Sequence, residues 1–277
     1  MVEILVTAPS ATEDESSPRR RASLPHHPRI ERRSMKTLSA WLLLFVSLVA
    51  SSADTPLQSP EDLSRWMTHH YRNPEPDRFV EAVRLMARSG MLDSERTKAP
   101  AFGFIAGIVR KHPDRLAAWA KQLADLNDVQ MGVVVLGIWY ADVPASKKTV
   151  SEILAARSGL AENMSLLSEG SPMPITKIPL EQGAWTLDAN WGAFLASGDS
   201  EPVVRIMSAL PWIHVKGDVN KLATASAARW SLTSNAVQHA RVFDICESEI
   251  AKQPPEVAAE LETIVAEARK QRQPKSL

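Results

Sequence analysis

The sequence predicts an all-α protein. Nearly every segment after residue 54 carries apolar residues at helical spacing. Proline and glycine punctuate those segments as helix starts and stops. The strand-like triplet Val133-Val134-Val135 lies inside a 12-residue apolar run whose neighbours are helices, so it too reads as helix. The expectation is about ten helices in antiparallel hairpins, open to stacking as a short α-solenoid-like, TPR-like superhelix.

Each element has its own signal. Ser59-Pro60-Glu61-Asp62 offers an N-cap, a proline at the first helical position and an acid three residues after the cap, predicting a helix to about Tyr71. Asn73-Pro74-Glu75-Pro76 breaks the chain. Phe79, Val80, Val83, Met86 and Ala87 then make a stripe that Gly90 ends. Pro100 is expected to open a third helix carrying Phe104, Ile105, Ile108 and Val109. After the joint His112-Pro113-Asp114, the residues Leu116, Trp119, Leu123 and Leu126 mark a fourth. Val129–Tyr140 is apolar almost all round and reads as a central buried helix. Val150, Ile153 and Leu154 continue the pattern to Gly159.

Residues 159–183 contain Gly170, Pro172, Pro174 and Pro179 without a clear period, and read as a long ordered loop or joint. Helices resume at Trp185–Ala196, Pro202–Leu210, Val219–Ser234, Val242–Lys252 and about Pro255–Arg272. The last has its acids early and its bases late, as the helix dipole prefers. A faint repeat joins Phe104…Leu116-x-x-Trp119, Trp191…Val203-x-x-Ile206 and Trp230…Val242-x-x-Ile245, with the aromatic 12 positions before the next apolar anchor each time.

The start of the chain reads as an export signal. Lys36 precedes a 13-residue apolar run, Leu38–Ala50, and Ser51 and Ala53 place small residues before Asp54. A signal-peptide core takes about 7–15 apolar residues and a membrane span about 20. Met35–Ala53 is therefore expected to be a signal peptide, with a periplasmic or secreted product and no stable span after cleavage. Residues 1–34, rich in proline and arginine, are expected to be a non-native upstream extension or a disordered leader. The rest divides into a helical half over 54–158, the joint over 159–183 and a second half over 184–277.

Removing 53 of the 277 residues leaves 224, enough for one domain or two small ones. Of the 32 basic and 32 acidic residues, seven and five precede Asp54, which leaves 25 and 27. With no basic excess, nucleic acid is not an expected partner. Cys246 is the only cysteine, so an internal disulfide is excluded. Its apolar neighbourhood, Val242-Phe243-Asp244-Ile245, predicts a buried, inert thiol.

Catalytic signatures are missing. There is no Gly-x-Ser-x-Gly elbow, no His-Glu-x-x-His and no P-loop spacing, so no catalytic residue, metal ligand or cofactor is assigned. His69 and His70 are adjacent, and on a helix they point about 100° apart rather than at one ion. Trp185, Asp188, Asn190 and Trp191 are the candidate ligand-binding set, because aromatic faces beside carboxylate and amide groups suit a sugar or peptide. Asp188, Trp191 and Leu195 also form an ordinary packing stripe.

The chain resembles a group of exported, all-helical bacterial proteins of unassigned function. The resemblance rests on His70-Tyr71-Arg72-Asn73-Pro74-Glu75-Pro76, on Pro100-Ala101-Phe102 with His112-Pro113-Asp114, on Trp191-Gly192-Ala193-Phe194-Leu195-Ala196-Ser197-Gly198-Asp199 and on Trp230-Ser231-Leu232. It implies export and a helical fold and names no site. The expected function is a non-enzymatic exported protein that binds another protein or an envelope component. The alternative is a helical-fold hydrolase acting on an envelope polymer, with Asp188 and Asp199 as its acid–base carboxylates.

Overall fold

A computed structural model describes residues 56–273; the expected leader over 1–34 and the signal peptide over 35–53 lie outside them. The described residues form thirteen α-helices and no strand. None of these helices is long and apolar enough to cross a membrane.

Local chemistry accounts for most boundaries. Helix α1 (Pro60–His69) starts at a reciprocal cap: the Asp62 amide donates to Ser59 Oγ at 3.1 Å and the Ser59 amide donates to Asp62 Oδ2 at 3.2 Å. A 3₁₀ turn, His70–Arg72, follows. Helix α2 (Phe79–Arg88) ends at Gly90, whose φ of +76° is the left-handed conformation that glycine adopts without a Cβ clash.

Helix α3 (Glu95–Lys111) begins five residues before Pro100, not at it. The proline sits in the second turn and removes one backbone bond. The turn ahead of it is pinned separately, by Thr97 Oγ1 donating to Met91 O at 2.6 Å. The helix therefore starts more than a turn ahead of the position that the proline alone suggests. Helix α4 (Leu116–Gln122) stops before Leu123 and Leu126, which bury their side chains from the following turn. Helix α5 (Asp128–Ala141) is capped by Asn127 Oδ1, which accepts from the Gln130 amide at 3.0 Å.

The Gly/Pro segment is not bare loop. Helix α6 (Ser146–Ala155) is followed by two short helices, α7 (Ser158–Asn163) and α8 (Ser165–Glu169), and by 3₁₀ turns at Ile175–Lys177 and Leu180–Gln182. Helices α9 (Trp185–Ser197), α10 (Ser200–Met207), α11 (Val219–Gln238), α12 (Ala240–Glu249) and α13 (Pro255–Arg272) complete the chain.

The tightest packing joins helices far apart in sequence. Helix α3 lies against α9 on one side and α5 on the other. A stack of neighbouring hairpins would not produce the α3–α9 pair, so nearest-neighbour stacking is not what organises this core. Small residues let the two backbones approach. A Cβ on Gly103 would stand 2.0 Å from Ala189 O, and one on Gly192 would stand 2.2 Å from Pro100 O.

Helix α9 serves two cores. Ala189, Ala193 and Ala196 belong to a cluster built with α1–α7, while Leu187, Trp191 and Phe194 belong to one built with α10–α13. Cys246 is fully buried in the second, and burial pushes its thiol up to about 12. Its modification by an aromatic disulfide reagent should therefore occur only through unfolding. The expected rate at pH 8 in native buffer matches the independently measured opening rate. Stoichiometric labelling within the mixing time would contradict the burial.

Candidate functional site

The four residues expected to bind ligand all lie on α9, and they face different ways. Trp185 is half-buried: its Nε1 donates to Gln182 O at 2.9 Å and its ring meets Phe102 edge-on at 6.2 Å. Asn190 is fully buried and its Nδ2 donates to Thr186 O at 2.7 Å. Trp191 is buried beside Phe194, with ring centroids 5.9 Å apart. Asn190 Oδ1 and Trp191 Nε1 have no hydrogen-bond partner in the protein. Asp188 alone of the four is exposed, and it carries no hydrogen bond or ion pair. Although its side chain reaches solvent, the protein packed around its base pushes its carboxyl up to about 6. Asp188 thus faces outward while Asn190 and Trp191 face two different interior surfaces.

Nor do Asp188 and Asp199 meet. They stand at opposite ends of α9, and eleven residues of helix rise put them about 16 Å apart. Paired acid–base carboxylates on a glycosidic bond are about 5–9.5 Å apart. Asp199 is moreover held by Lys111 Nζ at 2.8 Å.

The histidines are structural in their contacts. His70 is buried; its Nδ1–H donates to Ala196 O at 3.0 Å and its Nε2 accepts from the Glu75 amide at 3.3 Å. Both ring nitrogens are used by the neutral form, and burial holds the ring below the usual histidine range. Among the described residues no three His, Cys, Asp or Glu side chains gather as a metal site would need.

A different surface stands out. Among the large hydrophobic side chains the protein exposes, three belong to α11: Val219, Leu222 and Trp230. Trp230 is 73 % exposed. Stepping along α11 by three or four, Val219, Leu222, Ser226, Trp230, Thr233 and Val237 share one side. Ala225, Ala228, Leu232 and Ala236 are buried on another side, the last three within the second core. The helix therefore carries two apolar stripes, and the alanine stripe is the inner one.

Beside Trp230 runs an open groove of about 740 Å³, walled by α11, by α13 and by Ile213 of the 3₁₀ turn Leu210–His214. Hydroxyls and amides edge it: Ser226, Thr233, Ser234, Gln238 and Gln271. Its ionised lining groups are Arg229 and Glu267, 3.4 Å apart. Arg229 also reaches the half-buried Glu260, whose Oε2 lies 3.5 Å from Arg229 Nε and accepts no hydrogen bond.

The expected repeat fails at this point. Phe104 is fully buried and Trp191 nearly so, but Trp230, their counterpart, points to solvent. The three anchors share a spacing and not an environment. The helix itself was legible in the sequence, over Val219–Ser234, but which of its sides faces inward was not. In comparisons with known proteins, the chain matches no family model, no curated protein and no solved structure.

Proposed function

We propose that this chain is an exported, non-enzymatic helical protein that docks another protein in the groove beside Trp230. The single observation that carries the reading is a tryptophan 73 % exposed over an open groove on a helix whose other face is buried. Exposed contiguous apolar surface marks interaction sites on soluble proteins. Tryptophan and arginine dominate the energetics of protein interfaces, and an apolar centre with a hydroxyl and amide rim is their common anatomy. Trp230 and Arg229 are adjacent here, within such a rim. Export is supported by the signal-like segment Met35–Ala53 and by the resemblance to exported helical proteins. Asp188 and Asp199, the first carboxylates that the hydrolase alternative would pair, lie at opposite ends of α9 and so lend that alternative no support.

The test compares C-terminally tagged wild-type chain with Trp230→Ala, each recovered from its own cells with whatever co-purifies. Because Trp230 makes little of the core, the variant's stability should stay within about 0.5 kcal/mol of wild type. One protein is expected at near-equal amounts with wild type and at no more than about a tenth with the variant, a loss of the size a hot-spot tryptophan carries. Equal recovery from both, or a specific partner with neither, would sink the docking reading.

A further inference from the structure

We infer that the 3₁₀ turn His70–Arg72 is an acid-released clasp: it fastens α1 to the end of α9 and the start of α12 through two histidines that each hold one bond only as the neutral ring, and acid opens this seam ahead of the rest of the fold. Two observations carry it, and neither involves the Trp230 groove.

The first is how the clasp is bonded. His70 Nδ1–H donates to Ala196 O, at the end of α9, at 3.0 Å, and its Nε2 accepts from the Glu75 amide at 3.3 Å. A proton on Nε2 would set one N–H against another, so the Glu75 bond goes with the neutral ring. One residue on, Tyr71 Oη lies 3.2 Å from Nδ1 of His239, the residue that precedes α12. Arg72 Nε donates to that hydroxyl at 2.9 Å, which leaves the hydroxyl's own proton for His239. Only a neutral His239 can accept it. The Tyr71 ring also lies against Phe194, with centroids 5.1 Å apart, so the turn is seated on α9 as well as bonded to it.

The second is the set of groups around the two rings. His239 faces Tyr71 and Arg72 from the turn, His69 from the end of α1 and the uncharged Phe194 ring from α9. Arg72 and His69 both resist a further cation there. His70 meets Trp66 of α1 and Phe104 of α3 edge-on, with Glu75 and His112 as the titratable groups nearby. The Ala196 carbonyl and the Glu75 carboxylate favour a charged His70, and burial outweighs both. Glu75 is moreover shared with Trp66 Nε1 at 2.9 Å and with Arg78 at 3.7 Å. The closed seam therefore excludes protons that an open seam would take up, and the bias towards opening grows as pH falls below 6.5.

What the clasp holds is little enough to open by itself. Helix α1 buries Leu63, Trp66 and Met67, whereas α3 buries ten residues. Segments with few buried side chains open at the lowest cost. Release would part Trp66 from Phe104, whose rings stand 5.4 Å apart, and so bare an apolar face that neutral pH keeps covered.

Hydrogen exchange of the full chain, read by mass spectrometry of its peptides at pH 7 and pH 5, tests the clasp. The amides of α1 and of residues 70–72 should exchange through an opening that leaves α3 protected. Their protection factors should fall roughly twentyfold on acidification through His239 alone. In His239→Gln that fall should shrink to the share left to His70. Exchange of α1 and α3 with one common protection factor would overturn the clasp, because the seam would then open only with the whole fold. A separate α1 opening with equal protection at pH 7 and pH 5 would overturn its release by acid. Both of these outcomes are read from the wild-type chain, so they stand even where the variant fails to fold.

Discussion

Alanine at Gly103 or Gly192 should cost the fold about 3 kcal/mol or more, despite alanine's better helix propensity of about 1 kcal/mol. The reason lies in what the new methyl group meets. At Gly103 it would stand 2.0 Å from Ala189 O, and at Gly192 it would stand 2.2 Å from Pro100 O and 2.8 Å from Phe104 N. These are backbone atoms of the opposite helix, and no rotamer change moves them aside. The helices α3 and α9 must separate, and α9 is a wall of both cores, so the strain spreads to Phe104 on one side and Phe194 on the other.

For a protein of this size that loss lowers the melting temperature by roughly 6–12 °C. Gly132→Ala is the control. Its methyl group would meet Met164 Cε at 3.0 Å, the far end of a flexible side chain. The propensity gain should then dominate, and the melting temperature should hold or rise. A Gly103→Ala protein melting within about 2 °C of wild type would mean that the helices are not in backbone contact.

Stability should also fall by about 2 kcal/mol between pH 7 and pH 5 through His239 alone. His239 is buried at the start of α12, and Tyr71 Oη lies 3.2 Å from its Nδ1. Arg72 Nε donates to the same hydroxyl at 2.9 Å, so the tyrosine's own proton turns towards His239, which accepts it only as the neutral ring. Burial chiefly, then the nearby Arg72 and His69, pull the ring down to about 4 from its ordinary 6.5. The groups around it are Tyr71, Arg72, His69 and Phe194, and none is a carboxylate.

The sign follows from which state takes up protons. Below 6.5 the unfolded chain protonates this histidine while the folded chain does not. The stability conferred by the neutral ring is therefore complete above that pH. It drains away as pH falls and is exhausted near pH 4, where the total loss reaches about 3 kcal/mol. His70 is lowered by burial too and steepens the same slope, while exposed Asp188, raised to about 6, opposes it weakly. Urea unfolding of wild type and His239→Gln at both pH values isolates the His239 share. The variant is less stable at pH 7 and should lose about 2 kcal/mol less on acidification. Equal losses in the two proteins would show that His239 titrates normally.

These two expectations mark where reading the chain stops being enough. Residues that act on their near neighbours were legible. The Ser59–Asp62 cap, the stop at Gly90 and the helix through Val133-Val134-Val135 follow from spacing and from side chains a few positions away. The burial of Cys246 followed in the same way, from apolar residues on its own helix.

The start of α3 was not legible from the conspicuous Pro100: the helix begins at Glu95, after Ser94, with Thr97 Oγ1 bonded back to Met91 O and Ser94 O. The contact between Tyr71 and His239 spans 168 residues, and neither residue's surroundings in sequence point to the other. Gly103 and Gly192, read alone, only weaken their helices; their purpose appears when two backbones cross. Helix α11 makes the point most sharply. By size, Trp230 should be inside and the alanines outside. The structure buries the alanines, since small side chains let α11 sit close against its neighbours, and leaves Trp230 over an open groove.

The sequence by itself determined that this protein is helical and where most of its helices run, because capping and periodicity act over a few residues. Only the tertiary structure decided which helix faces touch and which stay bare, because that choice depends on interhelix distance, a property of two segments at once.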